Sequence, residues 1–322
     1  MESEEIGGFL GFELDDLGSL FHDKAIAVNT GRNALEYIIR ANHYSKIYLP
    51  YFTCDAVLEP IKKLNVDFSF YSIDKELYPK FDFSKIKRDE GFIYTNYFGL
   101  FNANVDRLIS ECDNLILDNA QAFFCNIKSS TPAFYSPRKF FGVPDGGFLY
   151  NPNKIKTTFE SDSSLKRLKH LVGRIEQNAE NFYSDYQRNE EKLHGEPIKY
   201  MSKFTKKTLR AVNYENVKKR RQKNYQTLHK VLHRENKLKL PNLKQEVPLC
   251  YPLLLNSGFE IKQKLIQKKI YVPTYWPNVL EWTNSGSLEY DLAKNLVCLP
   301  LDQRYGKTEM QEILKMFKSH SI

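Results

Sequence analysis

Residues 114–122 read NLILDNAQA, an apolar run that stops abruptly at Asp118. A short apolar run closed by polar residues is what a strand buried on both faces requires. Working back from it, ANVDRLISEC reads as a short helix, GFIYTNYF and VDFSFYSI as strands, and KIYLP as a further short strand. DAVLEPIKKL has helical character interrupted by Pro60, and residues 33–43, NALEYIIRANH, carry apolar side chains at helical spacing. Strands alternating with helices predict an α/β domain with a mainly parallel sheet. Ligands of such sheets gather at the carboxyl ends of the strands. Asp118 is therefore expected to project into a crevice, with Gln121 one turn further on. A carboxylate there calls for a cation; taken alone, capping of the next helix is the simpler role.

Two other stretches bear on that crevice. In NTGRNALEYII, Thr30, Gly31 and Arg32 stand where a helix begins, so free N–H groups and the positive end of the helix dipole can receive a phosphate. By itself this is an ordinary helix cap. Residues 134–147, FYSPRKFFGVPDGG, set Lys139 among aromatics and just before a Pro-Asp-Gly-Gly turn. Desolvation favours an amine over its ammonium, and the amine is a nucleophile for aldehydes; the alternative is a lysine lying over an aromatic surface. The set is more telling than its members. A helix start for a phosphate, a strand-end aspartate for a pyridinium and a lysine for an aldehyde match the three groups of pyridoxal 5′-phosphate (PLP).

The whole chain sets bounds. Its 322 residues, 42% hydrophobic and 14% aromatic, suffice for one large domain and a smaller one. No run of about 18 apolar residues occurs, and the acidic opening MESEEIGG is unlike a secretory signal, so a soluble, intracellular, cytoplasmic protein without a membrane partner is expected. Five scattered cysteines form no C-x-x-C pair; free thiols and no metal are expected. The net charge of +8 is concentrated between Lys203 and Lys244, where Val217, Tyr225, Leu228, Val231 and Leu232 recur at helical spacing. That predicts a half-buried helix with a solvated basic face, and no nucleic-acid motif supports that class of partner. The histidines, His22 and His320 among them, show no pairing pattern and read as surface or capping residues.

The motifs resemble those of the DegT/DnrJ/EryC1/StrS family of PLP-dependent sugar aminotransferases. NTGRNAL stands in place of that family's Ser-Gly-Thr-x-Ala-Leu segment, and Pro50 to Thr53 of PYFTC match its Pro-x-x-Thr. DNAQA, Asp118 to Ala122, matches Asp-x-Ala-Gln/His-Ala, and Lys139 precedes Asp145, Gly146 and Gly147 as the family lysine precedes its Glu/Asp-Gly-Gly turn. Beyond the lysine, KRRQKNYQTLH, VPLCYPLLL, IYVPTYWP and CLPLDQRYGKTEMQEILKMF are similar to later elements of the family, so the resemblance spans nearly the whole chain.

What the resemblance implies is a fold-type I aminotransferase: a PLP-binding domain, residues 1–215, with a mainly parallel seven-stranded sheet, and a smaller C-terminal α/β domain, residues 216–322. Lys139 would bind the cofactor aldehyde and shuttle the proton, Asp118 would hold the pyridine nitrogen protonated, and Gln121 would contact the 3-oxygen region. Gly31, Arg32 and Ser136 would position the phosphate, with Cys54 at the place where the family has a ring-stacking aromatic. Tyr275 and Trp276 fall near the sugar site, or else pack between domains. The implied reaction moves an amino group, usually from glutamate, to a nucleotide-linked keto sugar in a homodimer. Departures are Cys54, Arg32 for a threonine, and Phe134 for a phosphate-binding serine. The family's cross-subunit Gly-x-Asn-x-Arg also lacks a clear match; HGEPIKYMS around Met201 is the nearest. They leave open a PLP enzyme of another class, a dehydratase or lyase, and a non-catalytic module on the same fold.

Overall fold

The computed structural model of the chain describes residues 6–127 and 130–318; the acidic opening residues 1–5 and His320 lie outside them. The first half alternates as expected: β1 (Ile26–Val28), α1 (Gly31–Asn42), β2 (Lys46–Pro50), α2 (Leu58–Lys63), β3 (Asp67–Ile73), β4 (Pro79–Lys80), β5 (Glu90–Thr95), α3 (Asn102–Glu111), β6 (Leu115–Asp118), β7 (Ala133–Tyr135) and β8 (Gly147–Tyr150). Four helices follow, α4 (Lys169–Glu176), α5 (Tyr183–Lys192), α6 (Lys203–Arg210) and α7 (Tyr214–Leu232). The chain closes with β9 (Tyr251–Leu254), α8 (Gly258–Gln267), α9 (Pro277–Trp282), α10 (Leu288–Asn295), β10 (Leu296–Leu299) and α11 (Lys307–Lys318). Pro60 does not break α2, because it sits in the first turn, where no intrahelical N–H bond is lost.

Eight strands form the main sheet in the order β1-β8-β7-β6-β5-β2-β3-β4, and β9 pairs with β10 in a separate antiparallel ribbon. The run from β3 to β7 is parallel, whereas β1, β4 and β8 join antiparallel. The sheet thus has one strand more than the seven expected, the two-residue β4 at its edge. Alternation along the strands divides the core. Phe92, Tyr94, Leu115, Leu117, Tyr135 and Phe148 join one buried cluster, and Ile93, Ile116, Phe134 and Leu149 join another with Ala34, Leu35, Ile38 and Ile39 of α1. A sheet covered on both faces explains the unbroken apolar reading of NLILD.

Strand direction then decides where chemistry can gather. The carboxyl ends of β2, β5, β6 and β7 share one edge, and the order reverses between β2 and β5, the place where open α/β sheets bind ligands. Because β8 runs against β7 and β1 against β8, the start of β8 and the end of β1 return to that same edge, with Val28 opposite Gly147.

The expected basic helix is two helices, α6 and α7. Val217, Tyr225, Leu228 and Leu232 are buried, Val231 is exposed, and Arg221 shares the buried stripe. His22 is not a surface residue. It is enclosed by aromatics, its Nε2 lies 2.8 Å from the Phe123 carbonyl and its Nδ1 3.2 Å from the Tyr150 hydroxyl, and burial pushes its pKa down to about 4. All five cysteines are free thiols. Among the described residues no helix is long and apolar enough to cross a membrane, and no group of three or more His, Cys, Asp or Glu could hold a metal ion.

Candidate active site

Asp118 is the last residue of β6 and is buried to 5% exposure at the shared edge. Its carboxylate accepts the Ala120 N–H at 2.9 Å. Burial raises its pKa to about 6, and the Ala120 bond and the Lys139 charge oppose that rise. A carboxylate left in this state gains when a cation comes to it. Gln121 is buried within the next turn; its Oε1 accepts the Phe98 N–H at 2.9 Å, while its Nε2 has no hydrogen-bond partner. A buried donor without an acceptor costs about 1–3 kcal/mol. Two neighbouring groups therefore each await a complementary one.

Lys139 ends a single 3₁₀ turn, Pro137–Lys139, beyond β7. Its sequence neighbours Phe140 and Phe141 do not surround the ammonium; they are buried in the core and anchor the turn. The aromatic that meets the ammonium comes from far along the chain: Nζ lies 5.7 Å from the centre of the Tyr275 ring. Lys139 is half-buried, close enough to act electrostatically on both Asp118 and Cys54. Cys54, half-buried after β2, has its thiol pKa raised by burial, with Lys139 opposing.

The start of α1, where the sequence suggested room for a phosphate, is built mainly of backbone. Thr30 caps α1 by accepting the Asn33 N–H at 3.0 Å, which leaves Gly31 and Arg32 in the first turn without intrahelical acceptors. A Cβ on Gly31 would stand 3.8 Å from the Ser136 Cβ, so the glycine keeps open the gap between the helix start and buried Ser136. Gly146 has φ +122, and a Cβ on Gly147 would fall 2.3 Å from the Thr30 carbonyl oxygen. The Gly-Gly pair thus lets β8 start against the cap of α1. Asp145 is turned inward, accepting from the hydroxyls of Ser164 at 2.6 Å and Ser202 at 2.8 Å and pairing with Arg167.

Arg32 differs from the sequence expectation. Its Nε pairs with Glu59 at 3.3 Å and its Nη1 donates to the Leu193 carbonyl at 3.0 Å, so its contribution at the helix start is a backbone N–H. The reason is local: Glu59 and the chain end of α5 offer the guanidinium acceptors on the flank of α1. Trp276 packs edge-on against Phe52 at 5.0 Å and is buried, whereas Tyr275 reaches Lys139. Met201 is buried beneath Gly146, and Tyr200 bridges to Val28, which places HGEPIKYMS against this chain's own β1. Sequence reading missed Arg221, Gln303 and Phe98. For Arg221 a signal was present, since it lies four residues after Val217 and four before Tyr225 on the apolar stripe.

A cavity of about 720 Å³ opens at the other end of α1, lined by Arg40, His43, Tyr44 and Lys156 among others; it holds no member of this cluster.

No family model and no curated protein matches the chain by sequence. Solved structures match it in fold. The sugar aminotransferase CalS13 from Micromonospora echinospora aligns over 92% of this chain and 88% of its own, with TM-score 0.60 and 15% identity. A DegT DnrJ EryC1 StrS aminotransferase from Brucella abortus aligns over 92% and 86%, with TM-score 0.63 and 14% identity. The chain has the fold of these aminotransferases. Spr1654 from Streptococcus pneumoniae, in its PLP form, aligns over 92% and 86% with TM-score 0.61 and 15% identity. The fold-type I α/β architecture implied by the motifs is thereby established.

Proposed function

We propose that this protein is a PLP-dependent aminotransferase that moves an amino group, from glutamate, to a nucleotide-linked keto sugar. The observation that carries the reading is the pairing of unmet needs at one sheet edge: a buried carboxylate raised toward neutrality with a lysine near enough to act on it, and a buried amide donor without acceptor. These residues fit the cofactor. Asp118 would face its pyridinium nitrogen, Gln121 Nε2 would donate to its ring oxygen, the N–H groups of Gly31 and Arg32 with the Ser136 hydroxyl would hold its phosphate, and Lys139 Nζ would take its aldehyde.

When bound, PLP supplies an aldehyde for amines and a protonated ring that withdraws electrons from the adjoining carbon. Asp118 keeps that ring nitrogen protonated. Lys139 Nζ would be the base at that carbon, taking a proton from it and giving it back. Tyr275 supports this by holding an aromatic face toward the lysine and excluding water on that side.

The division into residues 1–215 and 216–322 is part of the same proposal. It is supported by the β9–β10 ribbon, which lies wholly in the later part, and its boundary falls two residues into α7. A homodimer working in the cytoplasm, in surface polysaccharide or amino-sugar synthesis, rests on the family resemblance.

The deciding experiment is an absorption spectrum of protein with added PLP, beside Lys139→Ala. A visible band that borohydride fixes to Lys139 and that glutamate bleaches is the expected result. A spectrum indifferent to loss of Lys139 would refute the assignment.

A further inference from the structure

Arg221 is one of the largest wholly enclosed side chains of the molecule, at 1% exposure, within a helix otherwise fringed by solvated lysines and arginines. A buried cation is a costly way to fill space. Its partners are carbonyls and an amide: Nη1 donates to the Pro248 and Leu249 oxygens at 3.1 and 3.0 Å, and Nε to Gln303 Oε1 at 3.0 Å. Gln303 in turn donates through Nε2 to the Phe140 carbonyl at 2.8 Å, directly after Lys139, and the guanidinium lies 4.6 Å from the centre of the Phe140 ring. On its other arm, the Leu249 N–H donates to the Phe98 carbonyl at 2.8 Å, and the Phe98 N–H to Gln121 Oε1 at 2.9 Å. Phe98 has φ 58, a left-handed conformation that a bulky residue keeps only when its surroundings impose it.

We infer that Arg221 and Gln303 are positioning residues that hold the Lys139 turn and the Gln121 side chain at a fixed separation. The fork of the guanidinium suits this because it reaches both arms from one rigid plane, which an ammonium cannot do. Gln303 orients the Phe140 carbonyl and so the end of the turn from which the lysine side chain departs. Phe98 fixes which face of the Gln121 amide is used, leaving Nε2 as the free donor. The inference deepens the cofactor reading and rests on it.

Gln303 is half-buried, so Gln303→Leu keeps volume while removing both bonds. In the holoenzyme it should lower kcat by about 100-fold, the scale of misplacing a reacting group by about 1 Å, with KM changed less than about threefold. The pH at which the Lys139-linked chromophore titrates should move as well. Arg221→Lys should show the same pattern, and Gln303→Asn, shorter but still both donor and acceptor, should recover part of the loss. A second measurement uses cofactor-free protein: methylation of Lys139 by formaldehyde and cyanoborohydride, read by peptide mass spectrometry, should change in rate by about tenfold, the worth of a lost hydrogen bond. A wild-type protein with no Lys139-dependent chromophore would defeat the cofactor reading and leave the methylation rate to judge positioning. Unchanged methylation in Gln303→Leu, with any effect confined to melting temperature, would overturn the inference.

Discussion

The ends of the candidate site proposed for a ring and for a phosphate, the ring end and the phosphate end, are built by different means. At the ring end, Asp118 and Gln121 are side chains fixed by a strand terminus and the turn after it, each buried and each partly bonded. At the proposed phosphate end the groups on offer are main-chain N–H groups of α1, and the side chain of Arg32 is occupied by Glu59 and Leu193. Where side chains carry the chemistry, residue identity reports function. Where the backbone carries it, identity reports only that a helix begins there, and a residue such as Arg32 is free to serve stability instead.

Substitutions should separate the two ends. The largest effect belongs to Lys139→Ala, which should lower turnover by about 10³-fold or more and abolish the visible band, because Lys139 is the amine proposed to take the aldehyde. Asp118→Asn should follow, with kcat reduced by about 10²-fold as the charge proposed to face the ring nitrogen is lost. Its stability effect has the opposite sign. Burial raises the folded-state pKa of Asp118 from 3.8 to about 6, so its stabilising contribution is complete below the lower value and is lost as pH rises through the upper one. Cofactor-free Asp118→Asn should therefore melt higher than wild type at pH 8, by on the order of 3 kcal/mol, and show no such gain near pH 4. Equal melting at both pH values would remove the ring end's distinguishing feature.

His22 tests the bracing of the ring end from behind, through its bond to the Phe123 carbonyl. Its folded pKa is depressed from 6.5 to about 4, so the stability it contributes is present above the upper value and lost as pH falls through the lower. Wild type should lose on the order of 3 kcal/mol across that window in urea titrations, and His22→Phe should flatten the dependence. The smallest effect is expected at the phosphate end. Arg32→Gln should leave PLP affinity within about threefold and lower stability by about 1 kcal/mol, the worth of a part-buried pair and a carbonyl bond. A tenfold or greater loss of affinity would mean that the guanidinium does reach the phosphate, and the contrast drawn here would fail.

Much of this architecture was legible in the chain. KIYLP is β2 residue for residue, and the helix read over residues 33–43 is α1, beginning two residues earlier at Gly31, since a cap on Thr30 sets the start and periodicity does not. NLILD marked both a strand and the direction of Asp118, because alternation and burial leave a strand end few choices. What escaped were features decided by partners distant in sequence. The aromatics beside Lys139 suggested a lined pocket, yet Phe140 and Phe141 belong to the core and Tyr275 does the facing. The charge run around residues 203–244 suggested a solvated face, and only its register with Val217 and Tyr225 distinguishes Arg221 from its neighbours. His22 looked solitary because its partners, Phe123 and Tyr150, are over a hundred positions away. Trp276 is a packing residue on Phe52, which composition cannot separate from a substrate contact.

The bond from Gln303 to Phe140 joins residues 163 positions apart, while β6, which carries Asp118, and β7, which leads to the Lys139 turn, pair with nearer neighbours in the chain. Closing so wide a loop is entropically unfavourable until the rest of the molecule is in place. The β5–β6–β7 part of the sheet can therefore be complete while the lysine turn is still loose, and in refolding the molecule should become compact before it becomes competent. Fluorescence would report the first event and cofactor capture the second, with the interval between them timing the arrival of the chain's final segments on the site.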